Sequence, residues 1–162
     1  MKIIFKPIVG AILFVLISCR PAGRENTNAT GEQVITYDSL LAKKLGADEY
    51  GMRSYVIAFL KVGPNREQDT LKNAQLMRKH LDNITRMADE GKLAIAGPFM
   101  DDGEIKGIYI FNVSTVEEAR ALTETDPAIK EGRLLMDLHP WYGSAALMTV
   151  YETHKRITKK KI

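Results

Sequence analysis

Between Ser54 and Leu138 the apolar residues switch between a period of two and a period near 3.6, in the order strand, helix, strand, strand, helix, strand. The run "SYVIAFLKV" is β-branched and aromatic and stops at Gly63-Pro64, which predicts a buried strand. A long helix follows, opened by Asp69 as N-cap. It carries Leu71, Ala74, Met77, Leu81, Ile84 and Ala88 at helical spacing until Gly91 stops it. Two strand-like runs in "KLAIAGPFMDDGEIKGIYIFNV" flank Asp102-Gly103, a β-hairpin signal that makes Asp101 and Asp102 turn residues. Ser114-Thr115-Val116-Glu117 reads as a capping box opening the second helix, and "RLLMDL" alternates as a fourth strand ending before Pro140. The order βαββαβ predicts an α+β, ferredoxin-like domain with both helices on one face of an antiparallel sheet. The strands look apolar on both faces, so the other face requires a cover, most simply a second copy of the chain. A homodimer is therefore expected.

The flanks carry different signals. Lys2 and Lys6 precede "PIVGAILFVLIS", an apolar run too short to span a bilayer comfortably, which reads as a signal peptide over residues 1–18. It ends in Leu16-Ile17-Ser18-Cys19, similar to a bacterial lipobox, so Cys19 is the expected lipidation site and new N-terminus. Cys19 is also the only cysteine, which excludes an internal disulfide. Residues 19–36 are polar and rich in Asn, Thr and Gly, as expected of a flexible tether. Residues 37–52 predict a short helix with Leu40, Leu41 and Leu45 on one side, residues 53–143 the main domain, and residues 144–162 an extension ending in a basic tail. Loss of the leader would reduce the formal charge from +3 to +1, too little to argue for nucleic-acid binding. The expected location is the bacterial cell envelope, lipid-anchored in the outer membrane and facing the periplasm.

Chemistry has few places to sit. The chain has no P-loop, no dinucleotide-binding glycine fingerprint, no His-Glu-x-x-His helix, and no cysteine available as a nucleophile. His80, His139 and His154 are far apart in sequence and lack a familiar ligand spacing, so neither a metal nor another cofactor is expected. At about 100° per residue His80 lies about 40° from Ile84 and about 60° from Met77, on the border of the helix's buried stripe. That position suits either a half-buried structural histidine or one facing a pocket. In "ETDPAIKEG", Asp126 suits an N-cap with Pro127 at the first helical position and Gly132 closing the turn, and that chemistry accounts for it locally.

Two longer stretches, "HLDNITRMADEGKLAIAGPF" and "TDPAIKEGRLLMDLHPW", together resemble the YCII-related (YciI-like) proteins of the dimeric α+β barrel group over roughly residues 53–142. The shared elements are a histidine midway along the first helix, the Glu-Gly-Lys-Leu turn into an Ala-Gly-Pro strand end, and an Asp-Pro after the second helix. The resemblance implies a dimeric α+β barrel fold and an active-site pair corresponding to His80 and Asp126. The implied activity is a cofactor-independent lyase or isomerase acting on a small ring compound. A neutral imidazole can take a proton at neutral pH, and a carboxylate can hold its tautomer and stabilise the cation. Gly97 and Pro98 would admit a ligand near the strand end, and Trp141 and Tyr142 would either wall an aromatic substrate or pack. The alternative function is a non-catalytic lipoprotein that binds a small molecule in the same pocket. The leader, the 37–52 helix and the C-terminal extension are departures from the short members of the family.

Overall fold

A computed structural model of the chain describes residues 35–66 and 68–160. The proposed leader, Cys19 and most of the tether lie outside the described residues. From Asp38 onward the chain forms α1 (Ser39–Leu45), β1 (Met52–Val62), α2 (Thr70–Asp89), β2 (Leu93–Pro98), β3 (Ile105–Phe111), α3 (Val116–Thr123), α4 (Pro127–Lys130), β4 (Leu134–Ser144) and α5 (Val150–Ile157). A 3₁₀ turn, Ala145–Thr149, precedes α5. The four strands make one antiparallel sheet in the order β2-β3-β1-β4, so the fold is the expected α+β, ferredoxin-like βαββαβ arrangement. Among the described residues, no helix is long and apolar enough to cross a membrane.

Strand pleating sorts side chains between two layers. On one face Val56, Ala58 and Leu60 of β1 join Tyr109 and Phe111 of β3 and Leu93 of β2 beneath Met87 of α2 and Ala119 of α3, forming the main core. On the other, Tyr55, Ala94 and Ile110 are buried against Leu147 and Met148 from the C-terminal extension. The extension is held there by the Tyr55 hydroxyl donating to the Ser144 carbonyl at 3.0 Å and by the Tyr151 hydroxyl donating to Asp89 at 2.7 Å. Part of the face expected to need a second copy is thus covered by the chain's own last residues. Elsewhere on the face, Leu135 is 50% exposed and Trp141 37%.

One local expectation holds and two are corrected. The β-hairpin expected around Asp102-Gly103 is formed, with a connection from Phe99 to Glu104 in which the Asp101 carboxylate accepts from Gly103 N–H. The N-cap of α3 is Thr115 rather than Ser114: its hydroxyl accepts from Glu118 N–H, while the Glu118 carboxylate accepts from Ser114 N–H. β4 does not stop before Pro140 but continues to Ser144, with Pro140 opposite Val56. An edge strand tolerates this, because the missing N–H costs no bond if it falls on the unpaired side. The N-terminal helix ends where Gly46 adopts a left-handed conformation, and none of its residues is buried.

Candidate active site

The site begins with the turn after α3. Asp126 is fully buried and is the N-cap of α4: its Oδ1 accepts from Ala128 N–H at 2.8 Å, and Pro127 occupies the first turn, where its missing N–H costs nothing. Gly132, at φ 65°, ends the turn in a conformation that disfavours any side chain. Its carbonyl lies so close to β1 that a Cβ at Gly63 would come within 2.2 Å of it. The two segments are joined there by hydrogen bonds from Gly63 N to Arg133 O and from Asn65 N to Gly132 O. Local chemistry and this one close approach therefore fix where Asp126 points.

It points at α2. The second carboxylate oxygen, Oδ2, lies 2.8 Å from Nδ1 of His80, which is itself 7% exposed. Toward an ionised carboxylate, which can only accept, Nδ1 must donate, so the neutral tautomer this contact selects has its lone pair on Nε2. On the Nε2 side stands the Tyr109 hydroxyl at 3.4 Å, with the phenol and imidazole rings inclined by only 21° and their centroids 6.3 Å apart. Burial, and secondarily the nearby Asp126 charge, push the Tyr109 hydroxyl's pKa far above that of a free phenol, so it remains a proton donor at neutral pH.

A second set of contacts ties α2 to the same turn. One helical turn after His80, the Asn83 side-chain oxygen Oδ1 accepts from Arg86 Nη2 at 2.9 Å, and that nitrogen also donates to the Thr125 hydroxyl at 3.0 Å. Thr125 in turn donates to Leu122 O at 2.7 Å. The residue next to Asp126 is thereby bonded to the helix that carries His80.

The imidazole and phenol open onto a cavity of about 550 Å³ between α2 and the sheet. Leu76, Met77, Leu81 and Ile84 line it from α2, and Gly97 and Pro98 from the end of β2. His80, Gly97 and Pro98 thus share one cavity, with Asp126 directly behind the histidine. Trp141 and Tyr142 do not line it. Trp141 lies beside Tyr55, with ring centroids 5.7 Å apart, on the opposite face of the sheet. The Tyr142 hydroxyl donates to Asp48, which precedes β1. Of the two roles open to these residues, packing is the one observed, because β4 runs on past Pro140 and carries them away from the cavity. Tyr109 was not foreseen as a site residue, because it lies within a run that reads only as core strand. A buried tyrosine hydroxyl generally has a polar partner, and that was the signal available for it. Among the described residues no group of three or more His, Cys, Asp or Glu side chains could hold a metal ion.

No curated protein matches the chain. Among solved structures, 5-chloro-2-hydroxyhydroquinone dehydrochlorinase from Burkholderia phenoliruptrix AC1100, in complex with 2,5-dihydroxybenzoquinone, is similar with a TM-score of 0.42 and 18% identity. That similarity covers 55% of this chain and 93% of the dehydrochlorinase. The family model of the YCII-related domain matches residues 57–138, just over half of the chain, from within β1 to within β4, a stretch that holds His80, Tyr109 and Asp126. The chain belongs to the YCII-related domain family.

Proposed function

We propose that the chain is a cofactor-independent enzyme of lyase or isomerase type, using His80 and Asp126 to move a proton on a small cyclic metabolite. The observation that carries this reading is the buried 2.8 Å contact between His80 Nδ1 and Asp126 Oδ2 at the wall of a cavity of ligand size. In the proposed step, the Nε2 lone pair takes a proton from a carbon next to a carbonyl, and the C–H electron pair moves into that carbonyl as an enolate. Asp126 holds the imidazole in the required tautomer and stabilises the imidazolium. Tyr109, kept protonated by its burial, donates to the enolate oxygen. The proton then returns to another carbon, giving an isomer, or the enolate expels a leaving group with its bonding pair, giving a lyase product and the acid of that group.

The test requires no known substrate. Cyclic monoketones and arylpyruvates, incubated with the full-length chain in D₂O, lose their α-proton signals in ¹H NMR if the site exchanges protons. Exchange above the buffer rate should disappear in His80→Ala and slow in Asp126→Asn. Exchange undiminished in His80→Ala would refute the assignment. Binding without exchange by any compound would favour a ligand-binding lipoprotein with the same pocket.

We also propose that the domain acts as a homodimer. It would be tethered by lipid on Cys19 to the outer membrane, facing the periplasm. The half-exposed Leu135 and Trp141 on the sheet's second face support the first statement, and the leader ending in Leu16-Ile17-Ser18-Cys19 supports the second. Incorporation of labelled palmitate, abolished in Cys19→Ser, tests the anchor.

A further inference from the structure

The C-terminal helix α5 (Val150–Ile157) has eight residues, a length at which a helix in water is marginal without packing, yet none of them is buried. It is held by the Tyr151 hydroxyl, which bonds Asp89 at the end of α2, and by the 3₁₀ turn before it, whose Leu147 and Met148 lie against the sheet. Its outer side keeps apolar residues in water. Val150 and Ile157, seven residues apart and so on one side of the helix, are 38% and 76% exposed.

The charge beside those residues has one sign. Lys155 is paired with Glu152, the one acid of the helix. Arg156, Lys159 and Lys160 are all exposed, and none of the three is paired with an acid among the described residues. Lys161 follows in the sequence. On the end of α2 that Tyr151 touches, the acids are already engaged: Asp89 accepts from the Tyr151 hydroxyl and Glu90 from Arg86. Exposed apolar side chains interleaved with unpaired cations suit the boundary zone of a bilayer, where acyl chains lie directly beneath anionic headgroups.

We propose that α5 and the basic residues after it dock on a membrane surface containing anionic phospholipid, with Val150 and Ile157 entering the headgroup zone and Arg156, Lys159 and Lys160 meeting phosphates. The cavity stays open in this arrangement. Asp89, where α5 is fastened, is twelve residues along α2 from Met77 at the cavity wall, about 18 Å at helical rise. The turn leading into α5 covers the sheet's second face, whereas the cavity lies on the first. The inference goes beyond the enzymatic reading and depends neither on it nor on lipidation of Cys19.

The test is co-sedimentation of the full-length chain with vesicles of phosphatidylcholine alone and of phosphatidylcholine containing one quarter phosphatidylglycerol. At low salt the mixed vesicles should bind at least tenfold more tightly, with most of that preference lost at 1 M NaCl, where the screening length falls to about 3 Å. Lys159→Gln/Lys160→Gln should weaken binding to the mixed vesicles at least tenfold, since each basic residue at such a surface contributes roughly fivefold, and leave the neutral vesicles within twofold. Lys79→Gln/Lys130→Gln, the same loss of charge at exposed residues elsewhere, should change neither by more than twofold. The leader, with Lys2 and Lys6, is common to all these proteins and cannot produce a difference between them. Equal affinity for the two vesicle types, a preference indifferent to salt, or equal weakening by the two double variants would each overturn the proposal. The salt series on the unmodified protein remains decisive even if a variant misfolds. Cys19→Ser should keep the preference for anionic vesicles; its loss there would make the lipid anchor the source and refute docking through α5. Failure of palmitate labelling or of proton exchange, with the preference intact, would refute the anchor or the catalytic reading and leave this surface standing.

Discussion

His80 and Asp126 are 46 residues apart in sequence, and their Nδ1 and Oδ2 atoms meet at 2.8 Å with both residues buried. The two oxygens of Asp126 have separate partners, one serving the helix cap and one the histidine, so the two roles can be separated by substitution.

Asp126→Asn keeps an acceptor for Ala128 N–H and should cost the fold little, within about 1 kcal/mol. Asp126→Ala loses the cap and leaves a buried imidazole N–H without its acceptor, costing about 2–4 kcal/mol. Chemical denaturation measures that difference. ¹⁵N shifts of the His80 ring report the second role: the wild type should hold the proton on Nδ1 and the Asn variant should not.

Tyr109 supplies a pH prediction. Its folded-state pKa is raised, chiefly by burial, so above about pH 10 the unfolded chain releases a proton that the native chain retains. Stability contributed by the neutral phenol is therefore full below that pH and is lost as the pH rises towards the folded value. Tyr109→Phe cannot titrate, and its stability should fall less steeply between pH 9 and about pH 11 than that of the wild type. Parallel slopes in thermal unfolding would contradict this.

Thr125→Val removes the hydroxyl that accepts from Arg86 and donates to Leu122 O. A loss of about 1–2 kcal/mol is expected. Because residue 125 adjoins Asp126, the His80 ring resonances should also broaden or shift, which a purely global destabilisation would not produce.

Leu135 tests the association state. If the exposed part of the second sheet face meets another copy, Leu135→Asp puts a charge into that contact and converts a dimer to a monomer. The unfolding midpoint of the isolated subunit should hardly change, because the side chain is half exposed. Light scattering at micromolar concentration reads the result directly.

The strand and helix order was legible because each element carries its own period: "SYVIAFLKV" pleats without help, and the α2 apolar stripe needs no tertiary information. Asp126 was legible as a cap for the same local reason. Its contact with His80 was not, since it depends on the Gly63–Gly132 approach and on how α2 lies over β3; only the family resemblance paired them. The end of β4 was misplaced by a local rule, because Pro140 reads as a strand end unless the strand is known to lie at the edge of its sheet. The extension's role escaped for a similar reason. Leu147 and Met148 carry no sign of which face they cover until the position of Tyr55 is known.

The turn between Asp126 and Arg133 has one more consequence. His80 bonds Asp126, Asp126 bonds Ala128 N–H, and Ala128 O accepts from Arg133 N–H at 2.9 Å, so an uninterrupted series of hydrogen bonds joins the histidine to the Arg133 backbone. The distance from the His80 ring to the Arg133 backbone at the start of β4 is therefore set by one short helical turn, not by two independently moving loops. The turn works as a ruler: lengthening or shortening it by a residue would shift the start of β4 against α2 and draw Asp126 out of reach of the histidine.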